Sequence, residues 1–517
     1  MGVIKKKARD AFLNRPRKDY RTFKSLTLDD LEARMQSLPV KPPIWYKLDL
    51  VQRICFIIGA QLHRFVWLLD TGMGKSLLSI SLIRYFRRLG IVKHALILVP
   101  NKINKTEWES ELLKHSPNSS YLILKGSSAE KWAALEQSNA LFVFETYAGL
   151  TRMVCVKEKR KKKAGMRLVP DAKLIAKVCS HFQALVCDES PNVGNHTKLP
   201  FRICKQISKT AEAVFPMTGT PFNRDPTMLW AQMYLVDHGE TLGETLGLFR
   251  SIFCKESNNY FSGMPEYKFD KKKESLLNKM IANRSIAYEA DAASLPSVVA
   301  VPKYVTLPGD ASSYYAKARE TLIAARGNFT ETKNAFLRMR QISSGFVGYE
   351  DDETGERAQF VFPDNPKLDL LLSTLQSIRP EYKSIVFFDF NVSGERIAKE
   401  LDQLKIGNLL MYGKSKNVEK VRHDFINNPK KQVLVLQNKL GIGLNVQVAR
   451  YGHFFESPVS AIIRKQCQRR VERQKSLYKT VFIYDYITTG TVDEDVLLFH
   501  KEGKDLFDAV IRGQVKL

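Results

Sequence analysis

The 517-residue sequence predicts an α/β protein of two lobes, each an open parallel sheet with helices on both faces. Three observations carry this. Short apolar runs closed by turn residues alternate with helix-length segments over residues 65–221, and the same alternation returns over 384–436. Residues 65–86, FVWLLDTGMGKSLLSISLIRYF, read as a buried strand, a Gly-containing turn and an apolar helix, an order that aims backbone N–H groups and one ammonium at a polyphosphate.

Composition sets the outer bounds. A chain this long suggests roughly two to four domains. With 44% hydrophobic and 26% charged residues it is globular rather than disordered. The net charge of +26, from 80 Lys+Arg against 54 Asp+Glu, favours a polyanionic partner, most simply nucleic acid. Residues 1–25 hold only part of that excess. Seven dispersed cysteines without a C-x-x-C pair indicate neither a disulfide framework nor a zinc site, and so a reducing compartment. No apolar run is long enough for a membrane span, and the first residues do not read as a secretion signal.

In chain order, residues 1–40 form a basic arm with one short helix near 28–35. It reads either as a solvated, partly disordered tail or as a nucleic-acid contact. Gln52, in LVQRICFII, precedes the cradle formed by Gly72, Met73, Gly74, Lys75 and Ser76. The run 95–99 and then 141–144 supply further strands, with a helix carrying Trp108 between them. The charge run 157–163, KEKRKKK, interrupts the rhythm as a loop, a DNA-backbone contact or a nuclear localisation signal. ALVCDES, 184–190, ends a strand in Asp188 and Glu189, placing two carboxylates at the sheet edge where ligands of open α/β folds bind. Asp188 is suited to magnesium and Glu189 to orienting an attacking water. VFPMTGTP, 214–221, places Thr218 and Thr220 either as sensors of the nucleotide or in a simple turn.

Residues 236–300 read as helices and loops, 312–342 as helix, and 351–359 as an exposed loop. The second lobe follows, with strands at 384–390, 409–412 and 432–436 and helices at 394–404 and 418–427. Gly441-Ile442-Gly443-Leu444-Asn445 allows a close backbone approach to a ligand. On the basic helix 460–473, Gln466, Arg470 and Arg473 fall at i, i+4 and i+7, on one face suited to a γ-phosphate.

Together these strings resemble the superfamily 2 helicases and translocases, and within them the Swi/Snf family of double-stranded DNA translocases, over about residues 40–500. Residues 69–76 look like motif I, which in this superfamily often lacks the generic first Gly, here Leu69. Residues 96–109, with Trp108, are similar to motif Ia, Asp188-Glu189-Ser190-Pro191 to the DExx box, and Asn195 to Lys198 to the segment after it. Thr218 to Asn223 followed by Leu229-Trp230 resembles the Swi/Snf form of motif III. Residues 441–445 look like motif V, Gln466, Arg470 and Arg473 match motif VI, and 490–494 match the Gly-Thr-Val-acidic segment beyond it. Pro191 replaces the usual His, Leu440 a common Gly, and the Ile-Gly-Gln ending of motif VI is absent.

The resemblance implies two RecA-like P-loop NTPase lobes with helical insertions between them, and ATP and magnesium as ligands. Lys75 and Ser76 would hold phosphates and metal, Asp188 the metal and Glu189 the water, with Arg470 and Arg473 as arginine fingers. Gln52, Gly443 and Gln466 count with the nucleotide-binding residues. The expected organisation is a basic arm at 1–40, lobe 1 at 41–235, a helical linker at 236–305, lobe 2 at 306–500 with its insertion near 310–350, and a tail at 501–517. The implied activity is a DNA-dependent ATPase that translocates on double-stranded DNA and remodels DNA–protein complexes or branched DNA. A strand-separating DNA or RNA helicase and a non-catalytic nucleic-acid scaffold are the alternatives. A compact bacterial, phage or viral motor is expected in the cytoplasm, or in the nucleus if eukaryotic, without a membrane partner.

Overall fold

The computed structural model describes residues 9–159, 166–219, 227–258, 265–289, 295–325, 329–350, 357–415, 417–440, 446, 448–472 and 476–501. The chain forms two compact units, Met1–Ala290 and Asp291–Leu517.

The strands of the first unit are β1 Val66–Leu69, β2 Ala95–Val99, β3 Tyr121–Ile123, β4 Phe142–Thr146, β5 Cys155–Lys159, β6 Met166–Pro170, β7 Ala184–Asp188, β8 Ala213–Thr218, β9 Cys254–Asn258, β10 Pro265–Phe269 and β11 Ser285–Tyr288. Seven of them make one sheet in the order β11-β1-β8-β7-β2-β4-β3, every neighbouring pair parallel. Its strands are apolar without alternation because both faces are covered. Val66 and Leu68 point into one core with Leu96, Leu98 and Val143, while Trp67 and Leu69 point into a second with Ile97, Phe142 and Phe144. The order brings the ends of β1, β8 and β7 side by side, where an open α/β sheet binds ligands.

Several readings are corrected. The arm is not a solvated tail over its described part. Tyr20 packs edge-on against Phe65 at 5.5 Å and its N–H bonds Ala282 O, while Leu31 is fully buried on the capped helix Leu28–Gln36. Its few apolar residues anchor it despite the surrounding charge. Part of the charge run 157–163 is strand, since β5 pairs antiparallel with β6. Residues 236–300 contain the hairpin β9–β10 and β11, which extends the main sheet beyond β1.

The second unit adds β12 Ser297–Val305, β13 Phe346–Glu350, β14 Arg357–Val361, β15 Lys383–Phe388, β16 Asn408–Met411, β17 Val433–Gln437, β18 Ala449–Phe454 and β19 Thr480–Thr488. Six form a parallel sheet ordered β12-β19-β18-β15-β17-β16. Helices Pro366–Gln376 and Asn391–Gln403 bury Leu371, Ile397 and Leu401 against one face. On the other, Phe387 stacks on Phe454 and Val471 lies close to Gly452. The stretch read as helical at 312–342 carries two helices, Gly309–Ala324 and Phe329–Ser343. Of the loop expected at 351–359, residues 357–359 belong to β14, paired with β13, and residues 351–356 lie outside the described residues. Among the described residues no helix is long and apolar enough to cross a membrane.

Candidate functional site

The site of the first unit grows from the end of β1. Gly72 and Gly74 take φ of 91° and 68°, values that suit glycine, and Gly74 N-caps the helix Lys75–Arg88 without any side chain to offer. The first intrahelical bond there runs from Leu78 N to Gly74 O, so the N–H groups ahead of it face outward from the positive end of the helix. A Cβ on Gly74 would stand 2.1 Å from Gln52 Nε2. Gln52 donates to Met73 O at 3.3 Å and, through Oε1, accepts from Asp49 N in a capping box. It thus braces the loop. Lys75 folds back, its ammonium donating to Leu69 O at 2.9 Å and Asp70 O at 3.2 Å, and Ser76 follows half-buried.

Asp188 ends β7, two strands from β1. Trp108 Nε1 donates to its Oδ2 at 2.9 Å, Glu189 N to its Oδ1 at 3.0 Å, and Tyr147 Oη to its backbone O at 2.7 Å. Burial, and then the charge of Glu189, push the Asp188 carboxyl up to about 6, against the opposing pull of the Trp108 bond and Lys75. Glu189 sits in the left-handed region at φ 47°, and Thr218 Oγ1, from the end of β8, donates to its Oε2 at 3.0 Å. The cradle, both carboxylates and Thr218 therefore converge on three adjoining strand ends.

These groups fit a magnesium–nucleotide complex. An uncapped helix start is suited to phosphate oxygens, and a carboxylate destabilised by burial gains from a nearby cation. Among the described residues no cluster of three or more His, Cys, Asp or Glu could hold a metal. A magnesium ion here would therefore take phosphate or water oxygens beside Ser76 and Asp188.

In the second unit Gln466 and Arg470 are buried on the helix Ala461–Val471. Arg464 anchors that helix through a two-pronged ion pair with Asp485 and stacks over Phe454, while Cys467 Sγ contacts Asn438 O at 3.4 Å. Gly443, Arg473 and Thr220 lie outside the described residues. Sequence reasoning placed Trp108 in a motif but found neither its bond to Asp188 nor that of Tyr147. Their bonds span 80 and 41 residues, and only the sheet order could have found them. It also missed the buried cluster where Arg340 donates to Asp389 Oδ2 and Ser457 O.

Residues 68–347 match the profile of the SNF2-related domain. Protein p41 of Acyrthosiphon pisum secondary endosymbiont phage 1 is 22% identical over 452 residues, 82% of this chain and 89% of p41. YwqA of Bacillus subtilis (strain 168), provisionally named an ATP-dependent helicase/translocase, is 21% identical over 460 residues, 86% of this chain. The match takes in 46% of YwqA, so the chain spans about half the length of that relative. The Sulfolobus solfataricus SWI2/SNF2 ATPase core in complex with dsDNA is similar at 19% identity and a TM-score of 0.39, over 92% of this chain and 95% of that one. The profile covers more than half of the sequence, and the chain belongs to the SNF2-related domain family.

Proposed function

We propose that this chain hydrolyses ATP to translocate on double-stranded DNA without separating the strands, so remodelling DNA–protein complexes or branched DNA. The observation that carries the reading is the convergence of the Gly72–Ser76 cradle, Asp188, Glu189 and Thr218 on the adjoining ends of β1, β7 and β8. Backbone N–H groups at the helix start and the Lys75 ammonium bind and orient the β- and γ-phosphates. Ser76 and Asp188 would hold a magnesium ion, which would supply charge neutralisation at the phosphates. Glu189, oriented by Thr218, positions the attacking water and takes its proton. Arg470 and Arg473 of the second unit are assigned the neutralisation of transition-state charge, and Gly443 and Gln466 further nucleotide contacts. Basic residues over both units bind the DNA backbone without reading sequence.

The second reading is a strand-separating helicase, the other activity that the name of YwqA covers. ATPase rates with duplex DNA, single-stranded DNA and RNA as activators, run beside triplex displacement and fork unwinding, separate the two. Triplex displacement without unwinding is expected, and the reverse pattern sinks the translocase reading. Glu189→Gln lowers turnover on the order of 10²- to 10⁴-fold, and Lys75→Ala abolishes it. Undiminished hydrolysis in either variant refutes the assignment of the site.

A further inference from the structure

The ribbon β5–β6 takes no part in either sheet. It projects between the helices Tyr147–Val154 and Ala172–His181, tied at its base by buried Cys155 and by the bond from Asp171 N to Val154 O. A lone two-stranded ribbon stabilises little by itself. This one also concentrates charge, because the sequence 155–170 holds seven basic residues against one acidic residue. The acid, Glu158, is already engaged by Arg167 at 3.5 Å. Self-repulsion of this kind is relieved by a polyanion.

The register sorts the side chains. Lys157 lies opposite Leu168 and Lys159 opposite Met166, and directly paired residues share a face. One face therefore carries two exposed lysines beside two apolar side chains, Met166 55% and Leu168 39% exposed. The other carries Val156, Val169 and the Glu158–Arg167 pair. Exposed apolar groups flanked by cations match a nucleic-acid groove, where base edges lie between two rows of phosphates. A solvated basic loop would need no apolar partners opposite its lysines. The major groove of a DNA duplex also admits a two-stranded ribbon.

We propose that β5–β6 is a duplex-binding wing, with Lys157 and Lys159 on phosphates and Met166 and Leu168 against the groove. It rests on the reading that duplex DNA is the track, and it adds a contact outside both sheets.

The test uses the full chain and a fluorescein-labelled blunt DNA duplex, with affinity read by anisotropy across a salt series. Lys157→Ala/Lys159→Ala should weaken binding on the order of 10- to 50-fold near 0.1 M salt and flatten the log–log salt slope by about 1.8. Lys157→Arg/Lys159→Arg should restore both. Met166→Ser/Leu168→Ser should weaken binding with the slope unchanged. All these residues are exposed, and thermal melts by circular dichroism should superimpose on the parent's, so lost binding is not lost folding. If the parent binds duplex and the alanine variant matches its affinity and slope, the wing is refuted while the translocase reading stands. A larger loss for single-stranded DNA or RNA than for duplex refutes the duplex assignment. A parent that does not bind duplex DNA refutes both.

Discussion

The two units hold their candidate groups by different physics. In the first, the groups sit on loops at strand ends, with Gly72, Gly74 and Glu189 in left-handed backbone. Asp188 there receives neutral donors, the Trp108 indole and the Glu189 N–H, and is left with its carboxyl raised to about 6. In the second, buried charges are matched inside the unit. Asp389 receives Arg340, Asp493 receives Lys367, and Asp485 receives Arg464. Burial works against the Arg340 charge, yet Asp389 beside it, with Glu456 and Asp493, more than offsets this and holds the guanidinium above its ordinary value. Glu456 departs from the rule, being raised by burial and held by Ser393 and two backbone N–H groups. The contrast separates a buried carboxylate that receives neutral donors from buried carboxylates that receive cations. It also locates where the fold gives up stability.

The sharpest break of this contrast is Arg340→Ala. It leaves Asp389 with Asn438 as its side-chain donor and removes the bond to Ser457 O. A loss of about 3 kcal/mol is expected in urea unfolding of the second unit. The double variant Arg340→Ala/Asp389→Asn should lose less than the sum of the single changes, because the stranded charge is gone. Strict additivity would show that the pair does not act as a matched charge.

Asp188→Asn tests the opposite behaviour. A carboxyl with a folded pKa of about 6, above its ordinary 3.8, binds its proton more tightly in the folded state. The nucleotide-free parent therefore loses stability as pH rises from about 4 through 6. Asn carries no charge to bury, so the variant should be more stable by roughly 2 to 3 kcal/mol at pH 8 and no more stable at pH 4. Thermal melts across that range read it directly. A variant less stable than the parent at pH 8 would mean that the charge at Asp188 is already balanced, as in the second unit. Gained stability with lost turnover would identify the carboxylate as a functional cost.

Much of this architecture was legible in the sequence, though not evenly. The run 95–99 coincides with β2, and the helix at 418–427 coincides with Val418–Asn427, because apolar periodicity is a local signal. The cradle and the Asp-Glu pair were legible from their order along the chain. β11 was not, since Ser285-Ile-Ala-Tyr is short and gains its place only by pairing with β1. Nor was the packing of the arm, where Tyr20 and Leu31 are few among charged neighbours. The wing was seen as a charge run, but its two faces depend on cross-strand register, which one strand's sequence does not contain. Trp108 was noticed as part of a motif, yet its bond to Asp188 depends on β2 and β7 being neighbours.

That bond yields the smallest effect. Trp108→Phe keeps the aromatic packing near Phe144 and removes the one indole donor to Asp188 Oδ2. A hydrogen bond to a carboxylate favours its charged form, so its loss should raise the Asp188 midpoint further, by at most about one pH unit, or ~1 kcal/mol. The pH at which the stabilisation by Asp188→Asn levels off should move upward by the same amount in the Trp108→Phe background, and its size at pH 8 should grow, while its onset near pH 4 stays set by the unfolded chain. At pH 4, where Asp188 is protonated, Trp108→Phe should show only its packing cost. If the midpoint stays put while stability falls equally at every pH, Trp108 merely fills space beside the carboxylate. The first unit would then leave Asp188 to Glu189 N and the field of Lys75, an even less balanced charge than the bonds now at its oxygens suggest.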